Sequence, residues 1–425
     1  MNNSSTSSIH FSDSIPVLDI DEERIIDIIR NAGVISKFGL VDHTGFSRSK
    51  INQHIESLLQ KKFINDTGAG IYTGGRRSVQ FSLNGSMGLV LGVDIGVTSI
   101  DLLISDLSGS ALVRVSEPAI VSQGPLVILG RVCDLFAQLI AENGLAERKI
   151  LGIGIGVPGP VNFKLGVLVS PNFMLGWDAF PIIPFIRERF PDTVVVVDND
   201  VNIMALGEHH KGIGAGADNL IFVKIGTGIG AGIICEGKIY RGTDGCAGDI
   251  GHICVDQNGP ICTCGNTGCL QALAGGHAIA NSAMQAVQQG EVTILSKYLK
   301  GQNRPLTCED IGNAAKEGDT YAIELIRDSG RLVGEVLAGL VNFYNPQIIV
   351  IGGGASKLGN VLLTSIRRTV LKRSLPLATS NLAIALSPIP DDAGVWGAVN
   401  LVMNLILSSN RPVRIIMPQP EAIFR

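Results

Sequence analysis

Apolar and polar positions change texture twice along the chain. Residues 1–18 are dominated by serine, asparagine and other polar residues, too little apolar matter to pack, which predicts a mobile tail. From Asp21 the period becomes helical. Ile25, Ile26, Ile28 and Ile29 line one side of a helix that opens on Asp21, Glu22 and Glu23, acids suited to the positive end of the helix dipole, and ends near Gly33. A short apolar segment follows over 35–41, and Ser47 then stands as an N-cap before Ile51, Ile55, Leu58 and Leu59. After Phe63 and Ile64, the turn Thr67-Gly68-Ala69-Gly70 and the alternating strand over 78–83 predict a hairpin. Three helices and a hairpin over 19–84 describe a winged helix-turn-helix.

Beyond Asn84 the apolar residues gather into β-branched runs ended by glycine, at 89–95, 150–157, 193–197, 220–225 and 348–351. Continuous apolar strands belong in sheets covered on both faces. Helical patterns alternate with them at 126–143, 201–210, 272–289 and 321–342, so residues 88–410 predict an α/β body with two lobes. Residues 411–425 form a tail without a placed partner, and no internal repeat stands out.

Composition fits that picture. The chain has 425 residues, 45% hydrophobic and 17% charged, with 52 glycines, which excludes disorder and coiled coil. The N-terminus lacks the pattern of a signal peptide and no apolar run reaches a membrane span, which predicts a soluble cytoplasmic protein. Cys133, Cys235, Cys246 and Cys308 show no paired spacing; they suit a reducing compartment and read as small core residues.

Chemistry concentrates at His252, Cys262, Cys264 and Cys269, where the spacing H-x9-C-x-C-x4-C places an imidazole and three thiols within a glycine-rich stretch. This is a full tetrahedral set for zinc, and with all four positions filled by protein the metal is structural.

Charge adds a second signal. The net charge is −4, yet residues 37–84 carry seven basic against three acidic side chains, a local +4. In a helix-turn-helix the second helix enters the major groove. The first residues of that helix are Ser47, Arg48, Ser49, Lys50, Asn52 and Gln53, residue types that read guanine, adenine and phosphate, and Arg76-Arg77 on a glycine hinge suits a minor groove. A winged domain used for protein contacts is the alternative.

Three glycine signals suggest phosphate or nucleotide contact: Asp94, Gly96 and Thr98 in a first hairpin, Gly226, Thr227 and Gly228 in a second, and Gly353-Gly354 after a strand. Between them Asp198-Asn199-Asp200 ends a strand and opens a helix. Asp200 is placed to take a proton from a sugar hydroxyl and Asn199 to bind neighbouring hydroxyls, while Asp198 or Asn199 is also placed to cap the helix, a role that does not exclude the first.

In order along the chain, Gly92-Val93-Asp94-Ile95-Gly96, Gly154 to Val161, Ser170-Pro171-Asn172 with Gly176-Trp177, Asn199-Asp200 and the Gly251-His252 cluster resemble the ROK family of repressors and sugar kinases, over about residues 20–400. The resemblance implies a two-lobed actin-like (ribonuclease H-like) sugar-kinase fold with a zinc loop, and the winged helix marks the repressor branch. It makes Asp200 the catalytic base of any kinase, and it assigns Asn172, Asn199, Asp200, Asp249, His252 and Gln271 to a sugar site. It departs from the kinases at Gly96-Val97-Thr98-Ser99, where two glycines followed by Thr-Lys are usual, and at Asp249 and Gln271, which replace glutamates. A valine in the phosphate hairpin crowds the place of phosphate.

The expectation is therefore a regulator, a repressor of carbohydrate genes. It binds a double-stranded DNA operator as a dimer and responds to a sugar or sugar phosphate through lobe closure, with no membrane partner. The alternative is an ATP- and magnesium-dependent sugar kinase of glucokinase or N-acetyl-hexosamine kinase type with an appended DNA-binding domain.

Overall fold

The computed structural model describes residues 15–68, 79–171, 174–299 and 304–410. A capping box opens the first helix, α1 (Ile20–Ala32): the Asp19 carboxylate accepts the Glu22 N–H at 2.8 Å, and the Glu22 carboxylate accepts the Asp19 N–H at 2.9 Å. There follow β1 (Val34–Ser36), α2 (Lys37–Thr44), α3 (Arg48–Gln60), β2 (Ile64–Asp66) and β3 (Gln80–Leu83). The strands form an antiparallel sheet in the order β1-β3-β2, and Ile25, Ile26, Ile29, Leu40, Ile51, Ile55, Leu58, Phe63 and Phe81 are buried. The helices match expectation, β2 and β3 pair antiparallel as the expected hairpin requires, and β1 is an extra strand; residues 69–78, with part of the expected turn, lie outside the described residues. The expected tail needs correcting at its end, because Ile15 and Leu18 are buried; residues 1–14 and 411–425 lie outside the described residues.

The chain divides into two units, one running to Asp198 and resuming at Ala398, the other Asn199–Gly397. Beyond the winged domain the first contains β4 (Leu89–Ile95), β5 (Ser99–Asp106), β6 (Ala111–Pro118), α4 (Pro125–Glu142), β7 (Ile150–Val157), the small hairpin β8 (Val161–Asn162) and β9 (Val167–Leu168), α5 (Ile182–Arg189) and β10 (Val194–Asn199). Its sheet runs β10-β7-β4-β5-β6 over a core that includes Phe136 and Trp177, whose indole N–H donates to the Val121 carbonyl at 3.1 Å.

The second unit opens with α6 (Asp200–Lys211) and continues through β11 (Leu220–Ile225), β12 (Ile229–Cys235), β13 (Lys238–Tyr240), α7 (Leu270–Ala274), α8 (Gly276–Gln289), α9 (Cys308–Lys316), α10 (Thr320–Tyr344), β14 (Ile348–Gly352), α11 (Asn360–Arg373), α12 (Pro376–Thr379) and β15 (Ala383–Leu386). A last helix, α13 (Ala393–Ile406), follows. The sheet order is β13-β12-β11-β14-β15. Counted within each unit, both sheets therefore run 3-2-1-4-5, a three-strand meander extended by later strands, with β4–β7 and β11–β14 parallel. This repeat of topology is absent from the sequence pattern, because the connections differ in length and content. The loop bearing the Cys/His cluster follows β13 and has no counterpart after β6.

Two further expectations change. The helix expected over 272–289 is broken at Gly275, since the Gly276 N–H donates 2.7 Å to the Gly226 carbonyl of the neighbouring hairpin. Of the four cysteines read as core, only Cys133 is buried; Cys246 is exposed, and Cys235 and Cys308 are half-buried.

In the first unit the winged domain is held to the body through α1. Arg30 donates to Asn404 Oδ1 at 2.6 Å and also to Asn400 Oδ1, and Glu23 Oε2 accepts the Ser409 N–H at 3.0 Å. Desolvation brings the Arg30 guanidinium down to about 10, against the pull of Asp27.

Candidate functional site

Helix α3 presents Arg48, Ser49, Asn52, Gln53 and Glu56 as exposed residues at helical spacing, while Ile51, His54, Ile55 and Leu58 face inward. Ser47 caps the helix, accepting the Lys50 N–H at 3.2 Å. Lys50 behaves differently from its expected companions. Its ammonium lies 2.8 Å from Asp21 and 3.9 Å from the centre of the Phe46 ring, so it ties α3 to α1. His54 lies 3.7 Å from each of Asp19 and Asp21, across the same seam. Arg76 and Arg77 fall outside the described residues, as does Asn172.

The second unit gathers the remaining sugar-site candidates around β12, against which α6 packs. Asn199 caps α6, its Oδ1 accepting the Val201 N–H at 2.9 Å, so the capping role is real. Asp200, only 4% exposed, receives the Lys224 ammonium at 2.5 Å. Lys224 was missed in the sequence, although a lone cation within the apolar strand β11 is a legible signal. A β-strand carries a charge inward only where something answers it.

Asp249, exposed, precedes a short 3-10 turn, Ile250–His252, that lies against β12. At the start of α7, Gln271 donates through Nε2 to Cys262 Sγ at 3.5 Å and Thr263 Oγ1 at 3.4 Å. The amide thereby joins the sugar-site candidate to the cysteine loop.

That loop is built by close backbone approach. A Cβ on Gly268, whose φ is +68°, would stand 1.5 Å from the Asp256 carbonyl oxygen, so only glycine lets the strand carrying Cys269 return beside residue 256. The donor atoms of His252, Cys262, Cys264 and Cys269 all lie within 4.8 Å of one another. Cys264 Sγ is 3.7 Å from Cys269 Sγ, and Cys262 Sγ is 3.7 Å from His252 Nδ1. Metal–sulfur bonds of about 2.3 Å give tetrahedral sulfur–sulfur edges of about 3.8 Å, so the set fits a single ion. Burial opposes ionisation of Cys262, but hydrogen bonds from the Cys264 backbone, Gln271, Cys264 and His252 outweigh it and draw the thiol down to about 6. Burial and the adjacent sulfurs of Cys264 and Cys262 push Cys269 up to about 12. Sulfurs this close ionise together only around a cation. The cluster can hold a metal.

The glycine signals divide between the units. In the second, the hairpin of Gly226, Thr227 and Gly228 joins β11 to β12, and Gly353-Gly354 follows β14, which lies parallel beside β11, so both loops share one end of the sheet. The neighbouring Gly232 has a packing role: a Cβ there would meet Ala205 of α6 at 2.5 Å. Asp94, Gly96 and Thr98 sit in the first unit, where the Gly96 N–H donates 2.8 Å to the Ser99 carbonyl. Val97, in the same hairpin, is half-buried and packs against the core of its own unit.

Comparison with known proteins assigns the architecture. A model of the ROK family matches residues 90–404. The xylose repressor of Caldicellulosiruptor bescii is 30% identical over 391 residues, 92% of this chain and 96% of that one. The glucokinase of Halalkalibacterium halodurans is 34% identical over 314 residues, covering 73% of this chain and 94% of its own. A crystal structure described as a ROK family transcriptional regulator, homolog of the E. coli MLC protein, superposes with a TM-score of 0.79 at 26% identity, over 92% of this chain and 96% of that chain.

Proposed function

The chain belongs to the ROK family, and from that premise we propose a sugar-gated repressor that reads its operator through the exposed face of α3. It is a transcriptional regulator of the family. The observation that carries this is coverage: a repressor aligns with 92% of the chain, whereas a glucokinase of similar identity aligns with 73%. Arg48, Asn52 and Gln53 contact base edges, with Ser49 and Arg76-Arg77 on the backbone or minor groove; Lys50 holds α3 to α1. Two copies of the chain read two half-sites. The effector is a sugar, a pentose or hexose with or without phosphate, held by Asn199, Asp200, Asp249, His252 and Gln271 of the second unit.

Zinc is the ion that suits three thiols and an imidazole, and it supplies a closed structural joint with no open position. His252 and Gln271 are thereby fixed relative to the loop. Asp200 is occupied by Lys224, which supports binding over proton abstraction at this carboxylate.

Fluorescence anisotropy with DNA from upstream of the protein's own gene tests the reading. Arg48→Ala and Asn52→Ala each weaken binding by about tenfold, and the effector sugar releases the parent protein from DNA. Unchanged DNA affinity in both variants sinks the assignment of α3. Conversion of sugar and ATP to ADP at enzyme-like rates favours the kinase.

A further inference from the structure

Cys254 stands directly opposite a member of the candidate metal set. Cys254 and Cys269 are partners in an isolated antiparallel bridge. The Val255 N–H donates to the Gly268 carbonyl and the Leu270 N–H to the Ile253 carbonyl, both at 2.8 Å. These bonds flank the pair instead of joining it, so the two cysteines occupy a non-hydrogen-bonded position, where cross-strand side chains share a face and stand closest. Cα atoms in such pairs are about 4.5 Å apart, within the roughly 4.4–6.8 Å over which a disulfide closes. Cys254 is exposed and Cys269 fully buried, so an oxidant from solvent meets the first sulfur and the second lies behind it.

We infer that Cys254 and Cys269 form a redox-active pair, in which oxidation at Cys254 closes a cross-strand disulfide and withdraws one donor from the metal set. The oxidant is a hydroperoxide. Hydrogen peroxide transfers one oxygen to the Cys254 sulfur, giving a sulfenic acid and one water. The Cys269 sulfur then attacks the Cys254 sulfur; the S–S bond forms, the S–O bond breaks, and the hydroxyl leaves as a second water with the proton of Cys269, or a solvent proton where Cys269 is a metal-bound thiolate. Two sulfurs lose two electrons and the peroxide gains them. His252, Cys262 and Cys264 remain as an incomplete set. Only this last consequence rests on the zinc reading; the disulfide stands on the register alone.

The test uses the full chain, with zinc measured by elemental analysis before treatment with stoichiometric hydrogen peroxide. Peptide mapping without reductant and a chromogenic chelator follow the reaction in parallel. A Cys254–Cys269 linked peptide appears, zinc is released in step with it, and thiol reductant with zinc reverses both. Cys254→Ser abolishes that peptide and slows zinc release several-fold, while Cys246→Ser, an exposed cysteine outside the pair, behaves as the parent. Recovery of Cys254 unlinked, while Cys262, Cys264 and Cys269 pair among themselves, overturns the proposal. A linked peptide in protein that holds no metal keeps the redox pair and removes the zinc reading.

Discussion

Glu22 illustrates what a single position conceals. Its place in the first turn of α1 reads as a surface acid favouring the helix dipole, but the side chain is 1% exposed and accepts from Ser57 Oγ and Lys61 Nζ, each at 2.6 Å. Its partners lie 35 and 39 residues away, beyond the reach of local pattern. Desolvation works against the carboxylate, yet its hydrogen bonds prevail and hold it below the usual 4.5. A depressed folded value means stability that is present above 4.5 and lost as pH falls through the folded value. Glu22→Gln therefore destabilises the winged domain by about 1–3 kcal/mol at neutral pH and flattens its acid limb, as followed by calorimetric unfolding of the full chain between neutral and acidic pH. Lys50 gives the same lesson, being legible as a cation but not as a partner of Asp21. Lys224 was legible as an anomaly in β11, whereas its answer in Asp200 was not.

Elements were legible where the signal is local. The N-cap at Ser47, the alternation of β3 and the cysteine spacing all depend on residues close in sequence, and each appears as expected. The break between α7 and α8 depends on a carbonyl about fifty residues earlier, at Gly226, and periodicity cannot see it. The repeated strand order is also invisible, since topology is fixed by which strands pair and not by their residues. Of the sugar-site candidates, Asn199, Asp200, Asp249, His252 and Gln271 fall in one unit, while the glycine candidates split between two. Metal dependence belongs to the element scale, because the loop after β13 has few apolar residues and relies on its four donors. Cys264→Ser or a strong chelator should raise hydrogen exchange over 250–271 several-fold and leave α10 and α11 protected. The accompanying loss of about 1–2 kcal/mol lowers the second unit's Tm by roughly 2–8 °C. Unchanged exchange in that loop would contradict a structural metal.

At the scale of the whole molecule, charge and coverage decide what no single motif does. The chain is acidic overall yet basic over 37–84, and a regulator aligns with nearly all of it. No described helix is long and apolar enough to cross a membrane. The attachment of the winged domain is itself testable. Asn400→Ala leaves part of a desolvated guanidinium unanswered, which costs about 1–3 kcal/mol and should speed proteolytic nicking near residues 84–88 several-fold. Equal nicking rates would show that Arg30 contributes nothing to the joint.

The same joint limits modular exchange. Arg30 belongs to the winged domain, and Asn404 and Asn400 lie 374 and 370 residues further along, so the seam between the domains is encoded in two distant stretches of the chain. A chimera that grafts residues 15–84 onto another body inherits the guanidinium without its two acceptors. Shuffling of specificities within such a lineage must move both ends together, or find an N-terminal module whose first helix carries no cation there.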